Sequence, residues 1–126
     1  MMWRVSVLAA AAIVAAAGMA RADGDAERGA KRFEECKSCH NPDRSQTQNT
    51  LGPSLYGVFE RKAGTLADFR FSPAMKRSGI TWTPETIDKF ITDPQAAVPA
   101  NRMPYAGLPD PAARSDLIAY LVKTFK

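Results

Sequence analysis

The two cysteines and the single histidine of this 126-residue chain lie within five positions, at Cys36, Cys39 and His40. Residues three and four positions apart share one face of a helix, so the three side chains can act on one bound group. The C-x-x-C-H spacing is typical of covalent haem attachment, in which each thiol forms a thioether with one vinyl group. The histidine is then placed to bind the haem iron as an axial ligand.

Three other uses of these residues compete with haem attachment. A structural zinc site mostly draws on Cys and His ligands, and only a carboxylate could complete one here because the chain has no further Cys or His. A thioredoxin-like redox pair is expected in a βαβ setting. A disulfide across two intervening residues would close too small a loop to stabilise much. The haem interpretation is favoured because haem would also fill the core of a small chain with few large apolar residues.

Residues 1–22 have the features of a secretory signal peptide. Arg4 precedes an alanine-rich apolar run over residues 5–20, and small residues flank Arg21 where signal peptidase would cut. The run has 16 residues, fewer than the roughly 20 of a membrane-spanning helix, so an uncleaved anchor is the less favoured alternative. We therefore expect a periplasmic mature chain, residues 23–126, that forms a single domain.

The charge of the mature chain argues against one class of function. Cleavage removes two of the 17 Lys and Arg residues and none of the 13 Asp and Glu residues, so the net charge falls from +4 to about +2. No basic stripe with interleaved aromatic residues accompanies this weak charge, and nucleic-acid binding is not expected. No apolar run after the signal segment could span a membrane, so we expect no stable membrane insertion.

The mature chain is predicted to be all-α, because no stretch shows sustained period-two alternation. Three helix starts have a Ser, Thr or Asp cap followed by proline at the first helical position, and the first helix is indicated by early acidic residues and helical apolar spacing. Four helices are predicted, at residues 25–39, 72–79, 83–93 and 110–125. Long irregular stretches connect them over residues 41–71 and 93–109, and loops of this length commonly have a functional role.

The second axial ligand of a haem iron would decide between an electron carrier and a gas-binding protein. The mature chain has two methionines, Met75 and Met103. Met75 lies in a short predicted helix at a position typical of ordinary packing. Met103 lies in a loop between Pro99 and Pro104, from which its thioether could reach the iron opposite the histidine. Met103 is the favoured ligand, and a plain loop hydrophobe is the alternative.

Taken together, these features resemble the class I, mitochondrial-type cytochromes c, in particular small periplasmic members from bacteria. The resemblance covers essentially all of residues 23–126 and follows, in order, the segments GDAERGAKRF, CKSCH, LGPSLYGVFERKAG, FRFSPAMKRSGITW, TDPQAAVPANRM and DLIAYL. It implies the cytochrome c fold, with four helices and long loops wrapped around one covalently bound haem c.

The resemblance also implies a set of haem-binding residues: Cys36, Cys39, His40, Pro53, Arg61, Trp82 and Met103. The cysteines would carry the thioethers, and His40 and Met103 would bind the iron. The carbonyl of Pro53 would accept a hydrogen bond from the second ring nitrogen of His40. Arg61 and Trp82 would bind the haem propionates. Gly29 and Phe33 would meet Leu117 and Tyr120 where the first and last helices cross.

At four positions the chain departs from the pattern that it resembles. Phe71 replaces a propionate-binding tyrosine, and Phe90 replaces a tyrosine that commonly hydrogen-bonds the methionine sulfur. Tyr105 replaces the usual phenylalanine beside the exposed haem edge, and Ala100 replaces a glycine in the methionine loop. The expected fold does not depend on the two hydroxyl groups that are lost at Phe71 and Phe90. The redox potential and the strength of the bond between iron and methionine do depend on them.

An iron with two protein ligands leaves no position for a substrate, so we expect a one-electron carrier and not an enzyme. It would shuttle electrons between respiratory or photosynthetic membrane complexes, or from a periplasmic dehydrogenase to an oxidase, as a monomer that docks transiently at the exposed haem edge. Four basic residues are candidates for steering this docking: Lys37, Lys62, Lys76 and Arg102. The alternatives are a haem subunit dedicated to one dehydrogenase, or a ligand-binding haem sensor.

Overall fold

The computed structural model of the protein describes residues 24–40 and 51–126, so the predicted signal segment lies outside the described residues. Within these ranges the chain forms five helices: α1 (Ala26–Lys37), α2 (Pro73–Arg77), α3 (Pro84–Thr92), α4 (Pro94–Ala97) and α5 (Pro111–Thr124). One isolated antiparallel bridge pairs Lys62 with Thr81. In the part of the chain that the structure describes, no helix is both long and apolar enough to cross a membrane.

Each helix begins at a side chain that accepts a hydrogen bond from its first turn, as the sequence predicted for three of them. The caps are Asp25, Ser72, Thr83, Asp93 and Asp110. Every helix after α1 has proline in the first turn, where the missing N–H has no intrahelical role. The predicted helices are confirmed, with ends one to two residues shorter.

Helix α4 was not predicted from the sequence, which assigned residues 93–109 to an irregular stretch. Asp93 ends α3 and also caps α4, accepting a hydrogen bond from the N–H of Ala96 at 3.1 Å. Proline follows immediately at Pro94. The start signal was therefore present, but a helix of four residues is too short to show the apolar periodicity by which helices are recognised.

Helices α1 and α5 cross where the sequence expected them to meet. Gly29 lies so close to α5 that a Cβ atom there would sit 2.8 Å from the Cβ of Tyr120. The buried ring of Phe33 packs against the rings of Tyr120 and Phe125, with centroids 5.1 and 5.3 Å apart. Because glycine lets the two backbones approach, the aromatic rings can pack tightly on one side of the crossing.

Arg114 holds the C-terminal end of the loop that follows α4. Arg114 of α5 forms an ion pair with Asp88 of α3, with 2.8 Å between Nε and Oδ1. One amino group of the same guanidinium donates to the carbonyls of Leu108 and Pro109, at 3.0 and 2.7 Å. These contacts join the loop to α3 and α5, two of the helices whose buried side chains line a cavity inside the protein.

Candidate haem site

A cavity of about 280 Å³ lies between α3, α5 and the long loops. Aliphatic and aromatic side chains form much of its wall, among them Ile87, Phe90, Ile91, Leu117 and Leu121. All seven residues singled out in the sequence also line it: Cys36, Cys39, His40, Pro53, Arg61, Trp82 and Met103. The fold therefore brings together residues up to 67 positions apart around one apolar space.

His40 is fixed in the orientation and protonation state that a metal ligand needs. Its Nδ1 atom lies 2.7 Å from the carbonyl oxygen of Pro53. A carbonyl only accepts hydrogen bonds, so Nδ1 carries the proton and Nε2 keeps the lone pair. Burial lowers the pKa of His40, and the hydrogen bond to Pro53 opposes that shift only in part. The backbone N–H of His40 donates to Cys36 at 2.7 Å, which continues the helical pattern of α1 for one more step.

Gly52 completes this side of the cavity, although sequence reasoning gave it no role. A Cβ atom on Gly52 would lie 2.7 Å from Cε1 and 2.9 Å from Nδ1 of His40. Its N–H donates to the carbonyl of Cys39 at 2.9 Å. The Gly-Pro dipeptide at Gly52 and Pro53 is a turn signal in the sequence. Only the folded chain, however, shows that this turn lies against the histidine ring.

The two cysteines are half-buried. Burial raises the pKa of Cys36 to about 11, and the negative charges of Glu35 and Cys39 act in the same direction. Among residues 24–40 and 51–126, no group of three or more His, Cys, Asp or Glu side chains could hold a metal ion. The zinc interpretation therefore gains no support.

Both methionines of the described residues, Met75 and Met103, line the cavity. Met75 is buried in α2, with 9% of its surface exposed, and Met103 is half-buried in the loop after α4. The sequence predicted ordinary packing for Met75, and the structure adds that its side chain also faces the haem space. The backbone N–H of Met103 donates to Oδ1 of Asn101 at 2.8 Å. Asn101, which sequence reasoning missed, is itself buried.

Arg61 and Trp82 lie side by side on the cavity wall, since the N–H of Trp82 donates to the carbonyl of Arg61 at 2.9 Å. The half-buried guanidinium of Arg61 donates to the carbonyls of Ser54 and Tyr56, at 3.0 and 3.2 Å. Burial lowers the pKa of Arg61. No ion pair among the described residues involves this arginine, so its charge can compensate an anionic group bound in the cavity.

Of the four positions that depart from the expected pattern, two lie on the wall of this space. Phe71 and Phe90 line the cavity. Tyr105 lies near α1, where burial raises the pKa of its hydroxyl and the negative charge of Glu35 raises it further. The four basic candidates for docking are all exposed: Lys37, Lys62, Lys76 and Arg102.

The walls and rim of this cavity suit a covalently attached haem. Two thiols can form thioethers, a neutral imidazole can bind iron, apolar walls can enclose the ring, and Arg61 can face the propionates. Because α1 carries the attachment motif and the described residues contain helices and no strand, the fold and site define a c-type haem protein.

Comparison with known proteins agrees with this class. Residues 26–125 match the family model described as Cytochrome c. Cytochrome c2 iso-2 of Magnetospirillum fulvum is 47% identical over 89 residues, which cover 71% of this chain and 91% of the relative. Cytochrome c2 of Blastochloris viridis is 41% identical over 109 residues, or 86% of this chain and 85% of the relative. Cytochrome c of Euglena viridis is 41% identical over 82% of this chain and 99% of the relative.

The chain belongs to the cytochrome c family. It has the all-α cytochrome c fold and one covalently bound haem c, for which Cys36 and Cys39 are the attachment sites. Its function is electron transfer.

Proposed function

We propose that residues 23–126 form a periplasmic one-electron carrier whose haem iron is bound by His40 and Met103. The observation that carries this proposal is the convergence of both residues on one cavity that also contains the attachment cysteines. The hydrogen bond from His40 to Pro53 supports it further, because it holds the imidazole in the tautomer that binds iron.

Haem c, when bound, supplies a reversible one-electron couple between ferric and ferrous iron. The chain controls that couple in three ways. His40 and Met103 would bind the iron, the soft thioether would favour the ferrous state, and the apolar wall would keep water away from the iron. Arg61 balances the propionate charge. Because the two ligands are held in place, little has to rearrange on each electron transfer.

Electrons would pass through the haem edge that the loops leave uncovered. Around it, Arg102 lines the cavity, and Lys76 lies against Gly64, another lining residue. Lys37 is exposed but forms an ion pair with Glu34 at 3.1 Å, which reduces the field that it offers a partner. We propose that these charges steer transient encounters with acidic surfaces of membrane redox complexes or periplasmic oxidoreductases, and affect the rate of association more than the affinity.

An optical experiment tests the axial ligands. The ferric protein should show the near-infrared charge-transfer band of iron bound to methionine sulfur, and the ferrous protein should bind carbon monoxide poorly. A missing band together with ready carbon monoxide binding would support the ligand-binding sensor instead. A band present in a protein that purifies only in a complex with a dehydrogenase would support the dedicated subunit.

A kinetic experiment tests the docking surface. Electron transfer with a membrane redox complex should slow as ionic strength rises, because salt screens the steering field. The double variant Lys62→Glu, Lys76→Glu should slow the reaction at low salt, whereas Lys123→Glu on the exposed face of α5 should change it less. If the double variant and Lys123→Glu slowed the reaction equally per charge changed, the net charge of the protein would matter and this particular surface would not.

A further inference from the structure

We propose that Asn101 is a positioning residue that holds Met103 at the haem iron. The inference rests on the methionine ligation proposed above and adds the means by which the ligand is held. Asn101 is a buried polar side chain, with 7% of its surface exposed. It lies four residues after the last residue of α4, Ala97, and two residues before Met103, so it stands between a helix and the residue proposed as the ligand.

The carboxamide of Asn101 forms hydrogen bonds on both of its sides. Its Nδ2 donates to the carbonyls of Pro94 and Val98, at 2.8 and 2.9 Å. Its Oδ1 accepts from the backbone N–H of Met103 at 2.8 Å. The amide therefore joins the backbone of α4 to the backbone of Met103. Gln95 adds a further link from its Nε2 to the carbonyl of Asn101 at 3.0 Å.

Met103 needs such an anchor because its own side chain offers none. A thioether donates no hydrogen bond, and the side chain has three rotatable bonds. Its neighbours Arg102 and Pro104 are exposed and supply little packing. Ala100 adopts a φ angle of 65°, which an alanine adopts only at a cost, so the loop does not keep its shape through local preference.

Removal of the carboxamide should affect Met103 more than α4. The carbonyl of Pro94 also accepts from the N–H of Val98 at 2.9 Å, and the carbonyl of Val98 accepts from the N–H of Asn101 at 3.1 Å. Both carbonyls would therefore keep a backbone partner in Asn101→Ala. The N–H of Met103 would lose its acceptor, and we expect the variant to fold and to attach haem.

The test uses ferric holoprotein and imidazole as a competitor for the sixth position of the iron. Displacement of the methionine is followed by loss of the near-infrared iron–methionine band as imidazole is added. Asn101→Ala should bind imidazole about tenfold more tightly than the original protein, the size expected from loss of one well-formed buried hydrogen bond. Asn101→Thr should lie between the two, because a hydroxyl accepts more weakly from the N–H two residues on.

Phe125→Leu is the control for a merely structural effect. Phe125 is fully buried against Phe33 and Tyr120 and does not line the cavity. The control should lower the denaturation midpoint and leave the imidazole affinity unchanged. The inference is overturned if Asn101→Ala binds imidazole like the original protein, or if Phe125→Leu tightens imidazole binding by the same factor.

The iron–methionine band also distinguishes a failure of the positioning role of Asn101 from a failure of iron ligation by Met103. If the original protein lacks the band, or if Met103→Ala retains it, methionine ligation by Met103 is wrong and the role of Asn101 falls with it. If the band is present and Met103→Ala removes it, an unchanged imidazole affinity in Asn101→Ala rejects the positioning role alone.

Discussion

The two sides of the haem cavity hold their proposed iron ligands in different ways. On one side, the ring of His40 is oriented directly, by a hydrogen bond to Pro53 and by the close contact of Gly52. On the other side, the position of Met103 is set through its backbone N–H, which donates to Asn101. The difference follows from chemistry, because an imidazole has a second nitrogen to anchor and a thioether has a single heteroatom.

The two sides also differ in what supports them. His40 follows α1 by three residues, and its N–H still donates to Cys36 in the helical pattern. Met103 lies in a loop without regular structure, between the one-turn helix α4 and the anchor formed by Arg114. Local opening occurs first where few buried contacts hold the backbone. We therefore expect the backbone around Met103 to open locally before the backbone around His40 does.

The largest effect should come from a variant that removes the covalent haem, and with it both sides of the cavity. Cys36→Ala combined with Cys39→Ala leaves no cysteine in the chain, so no thioether can form. Without haem nothing fills the cavity at the centre of the protein, and the apoprotein should be largely unfolded. Acid–acetone extraction should remove any haem present, and far-ultraviolet circular dichroism should show little helix. A cooperative thermal transition with the helicity of the holoprotein would contradict this.

Replacement of the methionine ligand should break one side and spare the other. Met103→Ala should keep the haem, lose the iron–methionine band, lower the redox potential and allow ferrous iron to bind carbon monoxide. Met75→Ala is the matched control, because Met75 also lines the cavity. It should keep the band and cost about 2–5 kcal/mol of stability as a buried truncation. The reverse pattern would assign the ligand to Met75.

A substitution at Gly52 tests how rigid the histidine side is. Gly52→Ala would force a methyl group against the ring of His40 and should destabilise the holoprotein by about 1–3 kcal/mol, as overpacking does. Gly57→Ala is the control. Its φ of 70° also strains an alanine, but no atom lies within 4 Å of the new Cβ, so it lacks the contact with a ring. Denaturant unfolding gives the stabilities, and only Gly52→Ala should also shift the nuclear magnetic resonance signals of the His40 ring. Unshifted signals of the His40 ring in Gly52→Ala would mean that the turn at Gly52 moves away from the ring and that this side is not rigid.

The smallest effect should come from relief of backbone strain on the methionine side. Ala100 has a φ of 65°, a region that favours glycine. Ala100→Gly should remove about 1–2 kcal/mol of strain but lose about 0.4–1 kcal/mol to the more flexible unfolded chain, for a net gain of up to about 1.6 kcal/mol. Ala106→Gly, at another exposed loop position, should be slightly destabilising. If both substitutions destabilise equally, the strain at Ala100 is negligible.

Several parts of the site were predictable because their signals are short and local. The spacing of Cys36, Cys39 and His40 identifies haem attachment before any fold is known, since it depends on one turn of backbone. The caps and first-turn prolines located three of the five helices in the described residues, apolar spacing located α1, and α4 was missed because one turn has no periodicity. The resemblance supplied Pro53, Arg61 and Trp82, which all line the cavity.

The amino-acid sequence by itself determined the chemistry of the cofactor and where the helices begin, because those features depend on residues one to four positions apart. The tertiary structure alone showed that Met75 shares the cavity with Met103, that Gly52 lies against His40 and that Ala100 has a positive φ. Such features depend on how distant segments pack and on how a loop is closed. The role of Asn101 belongs to this second group, because its side chain bonds to α4 and to Met103 only when the loop is folded.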